Sequence, residues 1–346
     1  MQSDSDNEQS ATVADDEHPR EQIAADEDIL SDLPSDVDAI DLVQMRIKSI
    51  PALGLSRFTE LRNLCLRENQ IEDIIGLEDI GAGLVELDLY DNKISRIENL
   101  GPEDPANAWK NIESLDLSFN KIKKINHVSH LHSLRNIYFV QDKISKIENL
   151  DGLTNLINLE LGGNRVRKLE NLEKLTALTQ LWVGKNKITK FENLSPLRNL
   201  KILSIQSNRL TKIEGLEDLL SLEELYMSHN GLTKIEGLEK NTNLTVLDIQ
   251  NNMIKHVENV SHLSNLQEFW ATSNQFESFE EIESELKHID ALETVYFEGN
   301  PLQRKNLTTY RNKVRLALGP GIRQIDASYV TESQAGMFSS NGAEKT

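Results

Sequence analysis

The sequence predicts a repeat solenoid of the α/β class, with about twelve stacked coils and a parallel sheet lining its concave side. Three observations predict it. First, a pattern L-x-x-L-x-L-x-x-N-x-I-x-x-I-E-N-L recurs with a 22-residue period, as from Leu156 through Leu159, Leu161, Asn164, Val166 and Leu169 to Leu172. The next copy runs from Leu178 through Leu181, Val183, Asn186, Ile188 and Phe191 to Leu194. Second, one column of asparagines keeps register over Asn69, Asn92, Asn120, Asn164, Asn186, Asn208, Asn230, Asn252, Asn274 and Asn300, with Asp142 in the single gap. Third, each L-x-L piece alternates apolar and polar residues, the period-2 signature of a strand with one buried face. Self-similarity of this kind is the mark of a leucine-rich repeat, in which each coil buries its apolar face only against its neighbours.

The elements follow in chain order. Residues 1–36 are polar, acidic and without apolar period, and are expected to be a disordered tail. Within it, Ser3 and Ser5 sit among Asp4, Asp6 and Glu8, a context that suits an acidophilic kinase. Repeats are expected over 37–300, starting with a degenerate copy at Val37, Ile40, Leu42, Met45, Ile47 and Ile50. At about 4.8 Å per coil the inner sheet is on the order of 55 Å long. The Asn column is expected to bond backbone groups of adjacent coils that the turn would otherwise orphan. Asp142 accepts but does not donate, so its coil should be weaker.

Two breaks interrupt the period. Asn92 to Asn120 is a step of 28 containing Gly101, Pro102 and Pro105, which predicts a convex-side bulge. Asn274 to Asn300 is a step of 26, where Ile282, Leu286, Ile289 and Leu292 recur at helical spacing; elsewhere short 3-10 or helical convex segments are expected. Over 301–330, Tyr310, Val314 and Leu318 form a helical stripe ended by Gly319-Pro320-Gly321, followed by Ile322 and Ile325. That reads as a C-terminal cap over the open end of the core. Residues 331–346 are expected to be a second disordered tail.

Composition narrows the function. The formal net charge is -19, and residues 1–38 hold thirteen acids against Arg20 alone. Such a chain is a poor fit to nucleic acid, whose affinity comes from phosphate neutralisation by Lys and Arg. A single cysteine, Cys65, permits no intramolecular disulfide and points to a reducing intracellular compartment. No apolar leader and no span of ~20 apolar residues is present, so no membrane is expected. His127, His130 and His132 form H-x-x-H-x-H, but no thiol or carboxylate is fixed beside them, and no metal or other cofactor is expected. Gly81-Ala82-Gly83 lacks the strand and helix context of a phosphate loop, and no nucleophile elbow occurs. The chain is expected not to be an enzyme.

The repeat also tells which side chains look outward. The residue between the last two apolar positions of L-x-x-L-x-L points onto the concave face. That column reads Asp41, Cys65, Asp88, Asp116, Tyr138, Glu160, Trp182, Ser204, Tyr226, Asp248, Trp270 and Tyr296. It holds five large aromatics and five carboxylates and no Lys or Arg, where a merely solvated face would be mostly Ser, Thr, Lys and Glu. Two residues earlier, the same strands add Glu86, Glu224 and Glu268. Trp and Tyr dominate interface energies, and acids between them suit a partner with a basic patch. The competing reading is a self-stabilising aromatic ladder along the sheet. On the turn side, Lys93, Lys121, Lys143, Arg165, Lys187 and Arg209 make one basic column. Arg96, Lys124, Lys146, Lys168, Lys190, Lys212 and Lys234 make another, with Glu98, Glu148, Glu170, Glu192, Glu214 and Glu236 nearby; this reads as a solvated, self-paired surface.

Further stretches carry a resemblance. "KIENL" and "KIEGLE" units, "LQEFWATSNQ" at 266–275, "LETVYFEGNPLQ" at 292–303 and "VRLALGPGIRQIDASYV" at 314–330 are similar to the leucine-rich-repeat regulatory subunit family of protein phosphatase 1. The resemblance covers about 40–330. It implies binding of the phosphatase catalytic subunit on the concave face, through Asp116, Tyr138, Glu160, Trp182, Asp248, Glu268, Trp270 and Tyr296, with Tyr226 added from the same column. Tyr138 and Trp182 stand where family members can carry Phe. The family further implies a protein monomeric on its own, nuclear and also cytoplasmic, acting on phosphatase maturation, location or activity and in mitosis, with room for a third, inhibitor-type protein. The short basic-Val-x-Phe motif of many phosphatase partners is absent; Thr294-Val295-Tyr296-Phe297 lacks the basic lead. Alternatives are a spliceosomal or cytoskeletal leucine-rich-repeat scaffold. A GTPase activator is disfavoured, because it needs repeats of ~28 residues.

Overall fold

The computed structural model describes residues 29–102 and 109–330. Twelve three-residue strands recur at the predicted L-x-L positions: β1 Ala39–Asp41, β2 Asn63–Cys65, β3 Glu86–Asp88, β4 Ser114–Asp116, β5 Asn136–Tyr138, β6 Asn158–Glu160, β7 Gln180–Trp182, β8 Ile202–Ser204, β9 Glu224–Tyr226, β10 Val246–Asp248, β11 Glu268–Trp270 and β12 Thr294–Tyr296. They pair in sequence order into one parallel sheet. The middle residue of each strand is buried; Leu115, Ile137, Leu159, Leu181 and Leu203 are fully inside. Coil after coil, leucines and isoleucines from strand, turn and convex side meet in one continuous apolar core.

The asparagine column works as the sequence implies. Asn164 accepts from Ile144 N at 3.0 Å and donates to Phe139 O at 2.6 Å, Leu161 O at 3.1 Å and Gly162 O at 3.4 Å. One side chain thereby satisfies backbone groups of two coils inside a turn closed to water. Asp142 keeps only the accepting half, taking Ile122 N at 3.0 Å, while its Oδ2 is buried without a partner.

Two more ladders are present that the sequence reading passed over. Asn149, Asn171, Asn193 and Asn259 adopt φ of 57–59° and donate to Ile125, Ile147, Leu169 and Ile235 O at 2.6–2.7 Å. This left-handed position explains why the unit reads IEN or IEG: Asn and Gly tolerate it best. Along the opposite edge, Asn111, Asn155, Asn199, Asn243 and Asn265 donate to Ala82, His132, Thr176, Leu220 and Thr242 O.

The structure corrects the expected boundaries in four places. The sequence predicts a disordered tail over 1–36, yet Leu30 is 3% exposed and Ile29 packs on the core. Arg57 fastens this segment by donating to Leu30 O and Leu33 O. Burial of two apolar side chains over the first coil outweighs the acidic composition there. The rest of that tail, with Ser3 and Ser5, and the 331–346 tail lie outside the described residues. Next, most convex segments are turns; among the described residues, 3-10 turns occur only at Pro51–Leu53 and Leu55–Arg57. The long step from Asn92 brings Trp109 into the core at 2% exposure, over Gly81 and Gly101, where an added Cβ would lie 1.9 and 2.5 Å from its ring. Pro105 lies outside the described residues. Last, the helical pattern after Asn274 gives α1 Phe279–Leu286, capped by Ser278, whose Oγ accepts from Glu281 N; Ile289 and Leu292 are buried but follow the helix rather than extend it.

The C-terminal segment closes the solenoid. α2 Pro301–Arg304 and α3 Tyr310–Leu318 lead to β13 Gln324–Ile325, which adds to β12 in parallel, and β14 Ser328–Tyr329, which turns back antiparallel. Tyr310 OH donates to Asp326 Oδ2 at 2.8 Å, and Asp326 Oδ1 accepts from Phe297 N and Glu298 N. The terminal edge of the sheet is thus capped by its own chain. Among the described residues no helix is long and apolar enough to cross a membrane.

Candidate protein-docking site

Strand register turns the outward column into a physical row. Asp116 pairs with Tyr138, Tyr138 with Glu160, Glu160 with Trp182, Trp182 with Ser204, Ser204 with Tyr226, Tyr226 with Asp248, Asp248 with Trp270, and Trp270 with Tyr296. All the candidate residues therefore lie on one concave surface, Glu268 beside Trp270.

The aromatics are organised further than the sequence shows. Trp182 and Tyr226, two strands apart, stack with centroids 6.4 Å apart and planes 19° from parallel. Tyr226 and Trp270 approach to 6.0 Å, again across one intervening strand, and Trp270 meets Tyr296 edge-on at 6.0 Å. Strands two apart are separated by roughly 9.6 Å, so these rings lean toward each other over the residue between them. The residues underneath are Ser204, 1% exposed, and Asp248, 5% exposed. Asp248 thus departs from the expected contact set: it lies beneath the aromatic strip, its Oδ1 accepting from Gln250 N at 3.0 Å. Burial pushes its carboxyl above the usual carboxylate range. The ladder reading is right about mutual packing, yet Trp182, Tyr226, Trp270 and Tyr296 all remain half-buried, open on the concave side.

Three of the four polar tips are tied down within their own strand, and the fourth by the cap. Trp270 Nε1 donates to Glu268 Oε2 at 2.9 Å, Tyr226 OH to Glu224 Oε2 at 2.7 Å, and Trp182 Nε1 to Gln180 Oε1 at 3.4 Å. Tyr296 OH accepts from Gln324 of the cap. Satisfying these groups internally leaves the ring faces for an apolar partner surface. Burial, with Glu224 next to it, raises the Tyr226 phenol.

The other half of the row is acidic. Asp88 and Asp116 each accept the backbone N–H two residues on, from Tyr90 at 3.0 Å and Ser118 at 2.8 Å. Their recurrence thus has a structural component the sequence reading missed: they close an Asx turn at the strand's end. Asp88, Tyr138 and Glu160 all titrate above their ordinary ranges, chiefly through burial and then, for Asp88 and Glu160, with Asp116 adding repulsion. Arg67 pairs with Asp88 at 3.3 Å; Asp116 and Glu160, held close together, favour an approaching cation. The turn-side bases pair locally, as in Arg96–Glu98 at 3.6 Å, Lys146–Glu148 at 3.6 Å and Lys212–Glu214 at 3.5 Å. Two of the three clustered histidines lie against backbone carbonyls: His130 Nε2 is 2.9 Å from Leu100 O, and His132 Nδ1 2.9 Å from Gly152 O.

Comparison with known proteins follows the same lines. Family models described as "Leucine-rich repeat" and "Leucine Rich repeats (2 copies)" match residues 81–183, and 198–240 with 220–264. An internalin (InlF) of Listeria monocytogenes superposes with a TM-score of 0.64 over 88% of this chain and 89% of its own, at 22% identity. A leucine-rich-repeat protein of Leptospira interrogans gives 0.60 over 78% and 73%, at 23% identity. These likenesses concern the fold. Protein phosphatase 1 regulatory subunit SDS22 of Saccharomyces cerevisiae is 50% identical over 120 residues, 34% of each chain. SDS22 of Schizosaccharomyces pombe is 58% identical over 80 residues, 23% of each chain. Regulatory subunit 7 of Mus musculus is 61% identical over 46 residues, 13% of this chain and 12% of its own. The matched stretches thus span from 12% to 34% of these relatives. The chain is a leucine-rich-repeat solenoid homologous, over those stretches, to the SDS22 and regulatory subunit 7 proteins of protein phosphatase 1.

Proposed function

We propose that this chain is a non-catalytic regulatory subunit that holds the protein phosphatase 1 catalytic subunit in its concave groove. It thereby controls the enzyme's maturation, activity or localisation, in the nucleus and cytoplasm and during mitosis. The relatives' names support a phosphatase partner. The observation that carries the docking mode is the strip Trp182–Tyr226–Trp270–Tyr296, continuous over six strands and flanked by Glu160 and Asp116. Aromatic faces with their polar tips satisfied are what a hot spot requires, and adjacent acids select a partner that is apolar and basic together. Trp182, Tyr226, Trp270 and Tyr296 would supply the anchors. Asp116 and Glu160 would supply charge, Glu268 would hold the Trp270 indole in place, Tyr138 would bridge the two zones, and Asp248 would support the rings from below.

The test is binding of the purified catalytic subunit to the full chain and to Trp182→Ala with Trp270→Ala. Each anchor is expected to cost about 2 kcal/mol. Undiminished affinity of the folded double variant would falsify the groove as the docking site. Purification from cells that returns a spliceosomal or cytoskeletal assembly without phosphatase would favour the scaffold reading instead.

A further inference from the structure

We propose that Phe119 and Tyr90 form a second docking anchor, on the rim of the concave face, for the same phosphatase catalytic subunit; this rests on the function proposed above. Neither residue belongs to the outward column.

The argument starts from the backbone. Phe119 directly precedes the ladder residue Asn120. From Gln44 to Ser273 the N–H at this position bonds a carbonyl one coil further on, here Phe119 N to Val140 O at 2.6 Å. That bond holds the position left-handed. Its other occupants are Gln44, Glu68, Asp91, Gln141, Lys185, Ser207, His229, Asn251 and Ser273, at φ of 51–60°, with Gly163 and Gly299. Phe119 has φ 57° and is the one large apolar residue in the row among the described residues. A bulky side chain there is an outlier whose cost the fold must absorb.

Packing does not account for it. Phe119 is 40% exposed. Its ring lies 4.8 Å from that of Tyr90, tilted by 45°, and Arg67 sits 4.2 Å from the Tyr90 centroid. Arg67 also pairs with Asp88 at 3.3 Å. The Asx turns described above tie this cluster to the docking row: Asp88 fixes the turn carrying Tyr90, and Asp116 the turn that leads into Phe119. The rim patch is therefore continuous with the acidic half of the row. It presents two rings with carboxylates beside them, Asp88 already engaged by Arg67 and Asp116 in no ion pair among the described residues. An apolar side chain next to a lysine or arginine would complement it, which is the chemistry the aromatic strip and Glu160 also select. Three strand spacings, roughly 14 Å, separate β4 from β7, so one protein surface filling the concavity reaches both anchors.

Phe119→Asn separates docking from folding, because Asn suits the left-handed backbone that Phe resists. Affinity for the purified catalytic subunit is measured with the full chain, well below each variant's unfolding midpoint. The expected result is a thermal midpoint equal to or above that of the parent and an affinity at least tenfold weaker. Gln141→Ala, at the same position one coil on, is expected to bind like the parent. An affinity for Phe119→Asn within threefold of the parent overturns the rim anchor, as does an equal loss in Gln141→Ala. If Trp182→Ala weakens binding while Phe119→Asn does not, the rim anchor alone fails. If the parent chain does not bind the catalytic subunit, both readings fail.

Discussion

Trp270 donates its indole N–H to Glu268 Oε2 at 2.9 Å, from a position two residues further along the same strand. The pair fixes the ring's azimuth on the sheet and removes the one polar group that would compete with an apolar partner. Glu268→Ala leaves the indole N–H to water and frees the ring. Loss of preorganisation of this kind is worth about 1 kcal/mol in affinity. Glu268→Gln retains a carbonyl acceptor at the same reach and should recover most of that loss. Both are read by titration with the catalytic subunit, and an equal loss in both variants would show that the charge, not the hydrogen bond, is what matters.

The asparagine ladder gives the second prediction. Asn164→Ala strips one acceptor from Ile144 N and one amide donor from three carbonyls, in a turn that water does not reach. Buried backbone groups left unsatisfied cost roughly 1–3 kcal/mol each, less what the turn recovers by relaxing. Denaturant unfolding should show a loss of at least about 2 kcal/mol. A loss below about 0.5 kcal/mol would mean that the ladder is dispensable.

What the sequence revealed depended on whether a property repeats within the coil or arises between coils. The strands, the Asn column and the orientation of Asp116 through Tyr296 follow from period and alternation, so they were legible without coordinates. The leaning of Trp182 and Tyr226 over Ser204, and the burial of Asp248, depend on ring contacts across two strand spacings that no linear pattern encodes. Trp109 was missed because the insert carrying it breaks the period, although Gly81 and Gly101 were visible as the room it needs. The second Asn ladder was visible in IENL and IEGL, where alternation of Asn with Gly is itself the signal for a left-handed residue. Phe119 was hidden because its row carries no side-chain chemistry in common, only a shared φ.

Gly215 tests the left-handed IEN/IEG row to which Asn193 belongs. Its φ is 70°, and a Cβ added there would lie 2.9 Å from Phe191 O. Gly215→Ala combines a strained backbone with a close contact and should cost about 1–2 kcal/mol. Gly215→Asn places an amide where Asn193 in the preceding coil reaches Leu169 O at 2.7 Å, so its own acceptor would be Phe191 O. The Asn variant should therefore unfold at a higher temperature than the Ala variant and close to the parent. Should the two melt together, the side-chain bond contributes nothing at this row.

Asp142 makes stability pH-dependent at a single identifiable coil. Its Oδ1 accepts from Ile122 N, while its Oδ2 is buried with no partner, in the place where the other ladder members hold a donating amide. Burial pushes its carboxyl up to about 7 from 3.8; the N–H groups of Ile122 and Asn120 oppose this, Asp116 adds to it, and Lys143 opposes it. The folded state therefore favours the neutral acid, which can donate as an amide does. A folded pKa above the unfolded one means that this stability is complete below about pH 4 and is lost as pH rises through about 7. The slope across that window approaches about 1.4 kcal/mol per pH unit. Asp142→Asn supplies the donor at every pH. Its stability advantage over the parent should be near zero at pH 4 and grow between pH 5 and 7. Above about pH 7.5 it should level off at a few kcal/mol. Comparing the two proteins by denaturant unfolding cancels the other raised carboxyls, Asp88, Glu160 and Asp248, which both share. An advantage that does not change between pH 5 and 8 would show that Asp142 is ionised in the fold throughout, with its Oδ2 reached by solvent.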